Sequence, residues 1–143
     1  MPFLATSLLL WLAAASGDAA PVVVQAPGSP VRVDHAKIFN VVPNEPAVLM
    51  YAATNLTDDD LEQFTVLVFF FDGDGVLKAR QIAPGRRTLE KRTTKYSTMV
   101  LDGWSLKPTD RVVFGINQAQ RTESDKWWSA ELDVAAAEAV KKQ

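Results

Sequence analysis

The sequence predicts an all-β fold: an antiparallel β-sandwich of about seven strands with a short C-terminal helix. Three observations carry that prediction. Short runs of apolar, β-branched and aromatic residues recur along the chain, and clusters of Gly, Pro, Asn and Asp separate them at regular spacing. Helical periodicity is nearly absent between those runs.

The chain opens on a segment that does not belong to the sandwich. Phe3 to Ala15 (FLATSLLLWLAAA) carries no charge, and it is shorter than the roughly 20 residues of a transmembrane helix. The small residues of ASGDAA and then Pro21 follow. That layout is a secretory signal peptide, although no Lys or Arg precedes its apolar core. Residues 1–19 therefore read as the signal, cut after Gly17 or Ala19, and the chain is expected to be exported, periplasmic or secreted. Once the signal is removed, no stable membrane span is expected. Residues 20–30 form a Pro-rich lead-in, 31–133 the sandwich and 134–143 a helical tail.

Within the sandwich, Val31–Asn40 is the first strand, and Pro43 and Pro46 end it. Ala47–Thr57 is the next, closed by the acidic loop Asp58, Asp59, Asp60. Phe64–Phe71 (FTVLVFFF) is apolar on both faces, which predicts a central, well-covered strand. Asp72-Gly73-Asp74-Gly75 supplies the positive φ of a tight hairpin, and Val76–Ala83 returns from it. Thr88–Leu101 is one long strand or two short ones. A loop carrying Trp104 leads to Arg111–Ala119, which alternates cleanly, and Lys126–Asp133 is the last strand candidate. Asp133 is placed to cap the helix VAAAEAVKK, with Lys141 and Lys142 at the end its dipole favours. A frayed turn or two is expected there. Strands at this spacing match the antiparallel sandwiches of immunoglobulin or fibronectin type III kind.

One stretch also carries a resemblance. Tyr51 to Lys78 runs from a strand ending in Asn55, through a polar loop, to the apolar strand Phe64–Phe71, the Asp72–Gly75 turn and a return strand. In that order it resembles the middle of bacterial extracytoplasmic sandwich domains of the FxLYD type and their fibronectin-like relatives. Leu106-Lys107-Pro108 is similar to the loop before their final strands, with Thr109 in place of the usual Gly. The resemblance implies the sandwich fold and an envelope-associated accessory role, and it carries over no catalytic residue.

Composition excludes much familiar chemistry. With no Cys there is no disulfide framework, thiolate nucleophile or Cys-ligated metal, and one His excludes a multi-His site within the chain. An EF-hand started at Asp72 would put Val76 at position 5 and Ala83 at position 12, so it fails. Asp58, Asp59, Asp60 and Glu62 read as a solvated acidic loop sooner than a surface Ca²⁺ site. Asn55-Leu-Thr57 satisfies the N-glycosylation sequon, but a strand end is the favoured reading. His35 has Asp34 beside it, yet strand neighbours point to opposite faces, and no Ser lies in a nucleophile-elbow context. The expectation is a non-catalytic chain with no cofactor and no metal site. A small hydrolase is the third reading.

Charge is the least generic feature. Ala20 to Leu77 holds two basic and eight acidic residues, while Lys78 to Lys95 holds seven basic residues against Glu90 alone. Lys78, Arg80, Arg86, Arg87, Lys91, Arg92 and Lys95 are therefore candidates for docking a partner protein or an anionic envelope polymer. Edge-strand protection by the same residues is the competing account. No aromatic stacking motif accompanies them, so nucleic acid is not expected. Trp127 and Trp128 are adjacent, which on a strand turns one ring inward and one outward. With Trp104 they are the candidates for stacking on a sugar. The leading expectation is an exported, monomeric interaction or accessory module; the alternative is a carbohydrate-binding module.

Overall fold

A computed structural model describes residues 20–39, 45–85, 88–101, 106–124 and 127–142. The expected signal peptide, Arg86, Arg87, Trp104 and the side chain of Trp127 lie outside the described residues. The described elements are β1 (Val22–Val23), β2 (Val31–Phe39), β3 (Ala47–Asn55), β4 (Leu61–Phe71), β5 (Leu77–Pro84), β6 (Thr94–Leu101), β7 (Arg111–Arg121), β8 (Trp127–Ser129) and the helix α1 (Asp133–Lys141). They build two sheets. The larger has the order β1-β7-β4-β5, with β8 also paired to β7, and the smaller has the order β2-β3-β6. Neighbours run antiparallel except β1, which lies parallel to β7.

Strand alternation builds the core between the sheets. Phe64, Val66, Val68 and Phe70 of β4, with Val112, Phe114 and Ile116 of β7, face Val31, Val33, Leu49, Tyr51, Ala53, Met99 and Leu101 of the smaller sheet. The Tyr51 ring lies 5.5 Å from that of Phe114. Burial pushes the Tyr51 phenol up to about 12, and the Ser97 hydroxyl, opposite it in the ladder, partly counters the shift.

A second apolar layer covers the outer face of the larger sheet. Phe69, Phe71 and Val113 pack there against Leu132, Ala136 and Val140, with Val22 and Val24 of the lead-in alongside. This cover is why β4 is apolar on both faces. The lead-in is therefore a packed layer as well as a linker: Val24 N–H donates to the Phe114 carbonyl at 2.9 Å. A Cβ at Gly115 would stand 2.5 Å from the Val24 carbonyl, so only glycine lets the two backbones come this close.

Several boundaries differ from those the sequence suggests. The expected Asp133 cap is not formed. Leu132 holds the N-cap position with no side-chain cap hydrogen bond, and Asp133 is the first helical residue. Its carboxylate instead accepts from Arg80 Nη1 at 2.8 Å. The helix runs nine residues, slightly more than the expected turn or two, held by apolar packing and by Arg111, whose Nη1 donates to the Val140 carbonyl at 3.0 Å. Lys126–Asp133 yields only the three-residue β8, because the chain must leave the sheet to start α1. Thr88–Leu101 divides into a bridge between Leu89 and Leu61, then a turn, then β6. Among the described residues, no helix is long and apolar enough to cross a membrane.

Candidate functional site

One end of the sandwich is organised around Asn55. This residue is fully buried where β3 ends. Its Nδ2 donates to the carbonyls of Asp59 (2.8 Å) and Leu89 (3.0 Å), and its Oδ1 accepts from the backbone and hydroxyl of Thr57. Both amide hydrogens are thus engaged. The residue of the Asn55-Leu-Thr57 sequon serves as an internal clamp, and its side chain is not presented to solvent.

The clamp fixes the acidic loop, and the three aspartates then diverge. Asp58 Oδ1 accepts from Arg92 Nε at 3.0 Å, which holds its carboxyl below the usual range. Asp60 Oδ1 accepts from the Lys91 backbone N–H at 2.9 Å. Asp59 Oδ2 accepts from Arg121 Nη1, at the far end of β7, at 2.9 Å. The Thr122 N–H reaches the Asp60 carbonyl at 3.0 Å and closes the loop against the end of β7. Carboxylates directed to three different partners do not converge on a cation.

Beside the Asp59–Arg121 pair lies a cavity of about 380 Å³. Thr57, Asp59 and Leu61 line it from the β3–β4 side, Gly28 and Pro30 from the lead-in, Ala119 and Arg121 from β7, and Trp128 from β8. Trp128 is half-buried, paired in register with Ala119 and packed against the inter-sheet core. A second hollow of about 460 Å³ shares Asp59 and Arg121 with the first and adds Asp60, Thr122, Glu123 and Ser124. The Asp59–Arg121 pair thus borders both an aromatic, partly apolar groove and a polar hollow. The first cavity falls at the low end of the roughly 300–1,000 Å³ usual for small-ligand clefts.

The predicted basic residues are distributed differently. Lys78 and Arg80 lie on β5, at the edge of the larger sheet, and contact Asp110 (3.1 Å) and Asp133 (2.8 Å). Lys95 lies on β6, at the edge of the smaller sheet, and contacts Glu90 at 2.6 Å. Lys91 and Arg92 sit in the connecting turn, against the acidic loop. The fold thus places the acidic loop of the first half against part of the basic block, and Lys78, Arg80, Arg92 and Lys95 are each paired with a carboxylate. Of the three tryptophans singled out, Trp128 meets a polar pair at a cavity. His35 is exposed, at a positive φ of 52° in an irregularity of β2, and Asp34 accepts from Arg32 at 2.9 Å.

Asp59 and Arg121 were not singled out as binding residues by sequence. They stand 62 positions apart, and the only local signal was the acidic run itself. Compared with protein-family models, curated proteins and solved structures, the chain matches none.

Proposed function

We propose that this chain is an exported, non-catalytic β-sandwich of immunoglobulin-like kind that binds a saccharide in the groove between Trp128 and the Asp59–Arg121 pair. The observation that carries the reading is this pairing of an aromatic ring with an adjacent acceptor and donor in one concavity. A sugar hydroxyl both donates and accepts, so it is matched by a carboxylate next to a guanidinium. The C–H face of a sugar ring suits an indole, which offers a large apolar surface with one polar N–H. A purely anionic ligand would meet Asp59 and Asp60, and a purely cationic one would meet Arg121. The Asn55 clamp holds the loop before ligand arrives, which lowers the ordering cost of binding.

Titration calorimetry against a panel of oligosaccharides tests the reading. At least one glycan should bind, and Trp128→Ala or Arg121→Ala should weaken it by about tenfold or more, a loss of roughly 1.4 kcal/mol. Absence of heat across the panel, or equal affinity in both variants, argues against it.

Docking of an acidic partner through residues 78–95 is the second reading. It is favoured by the exposed Leu77 and Ile82, which accompany Lys78 and Arg80 on the edge strand β5. Reversing Arg86, Arg87, Lys91 and Arg92 to Glu should abolish partner capture, and unchanged capture would sink it.

A further inference from the structure

The edges of the two sheets are not defended alike. An edge strand presents unpaired N–H and C=O groups and templates further pairing unless something interrupts it. On β2, the register slips between Asp34 and Lys37 around the positive-φ His35, and Arg32, Asp34 and Lys37 add charge. On β5, the register slips at Lys78, Arg80 adds a second cation, and Pro84 ends the strand. Among the described residues, the far side of the larger sheet carries only the two-residue β1 and the three-residue β8. By contrast, β6 pairs with β3 over eight consecutive positions without a slip. It contains no Pro and no positive φ.

The direction of its unpaired groups can be read from two contacts. Asn55 N–H donates to the Thr93 carbonyl, so odd-numbered positions face β3. The Val100 carbonyl accepts instead from Gln81 Nε2, which comes across from β5. Even-numbered residues Thr94, Tyr96, Thr98 and Val100 thus turn their backbone groups to the open edge. Their side chains are exposed, with Tyr96 at 59% and Val100 at 47%. None of the four is charged.

We propose that β6 pairs with the β6 of a second copy of this chain, antiparallel about a two-fold axis at Thr98. In that register Tyr96 opposes Val100 of the other copy, Val100 opposes Tyr96, and Thr98 opposes itself. Aromatic–β-branched and Thr–Thr cross-strand pairs are both favourable. Charge selects this edge over β5, where pairing about Arg80 would set like cations opposite each other. The Val100 carbonyl has two lone pairs and accepts from Gln81 and from the second strand together. A single strand pair buries less than the roughly 1,200 Å² of a stable interface, so the dimer is weak and forms with rising concentration. The monomer expected from the sequence is then one side of that equilibrium.

The lack of cysteine in the chain gives a direct test. Hydrogen-bonded antiparallel pairs lie about 5.5 Å apart at Cα, within disulfide reach. Under mild oxidation Thr98→Cys should form a covalent dimer several-fold faster than Ile82→Cys, which places a cysteine on β5 at a similarly exposed site. Sedimentation of the unmodified chain should show mass rising with concentration, and Tyr96→Lys with Val100→Lys should abolish the rise. Equal crosslinking at positions 98 and 82, or a monomer at every concentration, overturns the proposal. The monomer result would leave β6 as an edge for an extended strand of another protein.

Discussion

The two sheets of this molecule differ in how many of their faces are covered. The larger sheet is covered on both, by the smaller sheet on one side and by α1 with the lead-in on the other. The smaller sheet is covered on one, and its other face leaves Phe39, Val48 and Met50 half-buried and Tyr96 and Val100 exposed. The strands record the difference: β4 is apolar without a break from Val66 to Phe71 and β7 from Val112 to Ile116, whereas burial alternates along β2 and β6. Alternation reports one wet face, and its loss reports two dry ones.

The comparison can be broken at its strongest point. Phe70 lies fully buried on the inner face of β4, and Phe70→Ala should cost about 3–5 kcal/mol. Met50, half-buried on the open face of β3, should cost about 1 kcal/mol or less when changed to Ala. Denaturant unfolding checks both, and equal losses would mean that something covers the open face. Next in size is the seam beneath α1. Leu132→Ala should cost about 2–4 kcal/mol and raise binding of a hydrophobic dye as Phe69 and Phe71 are uncovered. Unchanged stability would show that α1 is not part of the cooperative fold.

Asn55→Ala should cost about 1–3 kcal/mol, because it strands the buried carbonyl of Leu89. It should also release the Asp59 carbonyl, so saccharide affinity should fall together with stability. The last effect appears only at alkaline pH. A phenol raised to about 12 in the fold stays neutral while its unfolded counterpart, near 10, ionises. Stability from this source is complete below about pH 10 and declines as pH rises toward about 12. Tyr51→Phe should remove that decline while leaving neutral-pH stability little changed, as alkaline unfolding curves would show.

Much of the sandwich was legible in the sequence. The runs 31–40, 47–57, 64–71, 76–83 and 111–119 announce themselves by alternation or by continuous β-branched and aromatic residues between turn signals, and each falls within three residues of an observed strand at either end. The lead-in strand was not, because three valines among prolines resemble a linker until Gly115 opens a path beside β7. Nor was the packing of α1, whose apolar face is mostly Ala and Val. The groove was legible only in fragments. Asn55, the acidic loop and Trp128 were each visible, but β7 and β8 bring them together from positions about 70 residues apart. The pairing of the basic block was hidden for the same reason: its counter-charges lie 32 to 53 residues away for Lys78, Arg80 and Arg92, beyond the reach of local patterning.

The most direct test of the central claim is amide and indole chemical-shift mapping of the chain with the saccharide selected by calorimetry. Shifts should concentrate at Thr57–Leu61, Ala119–Ser124 and the Trp128 indole N–H. Shifts concentrated along β5 and β6 instead, or absent at saturating sugar, would contradict it.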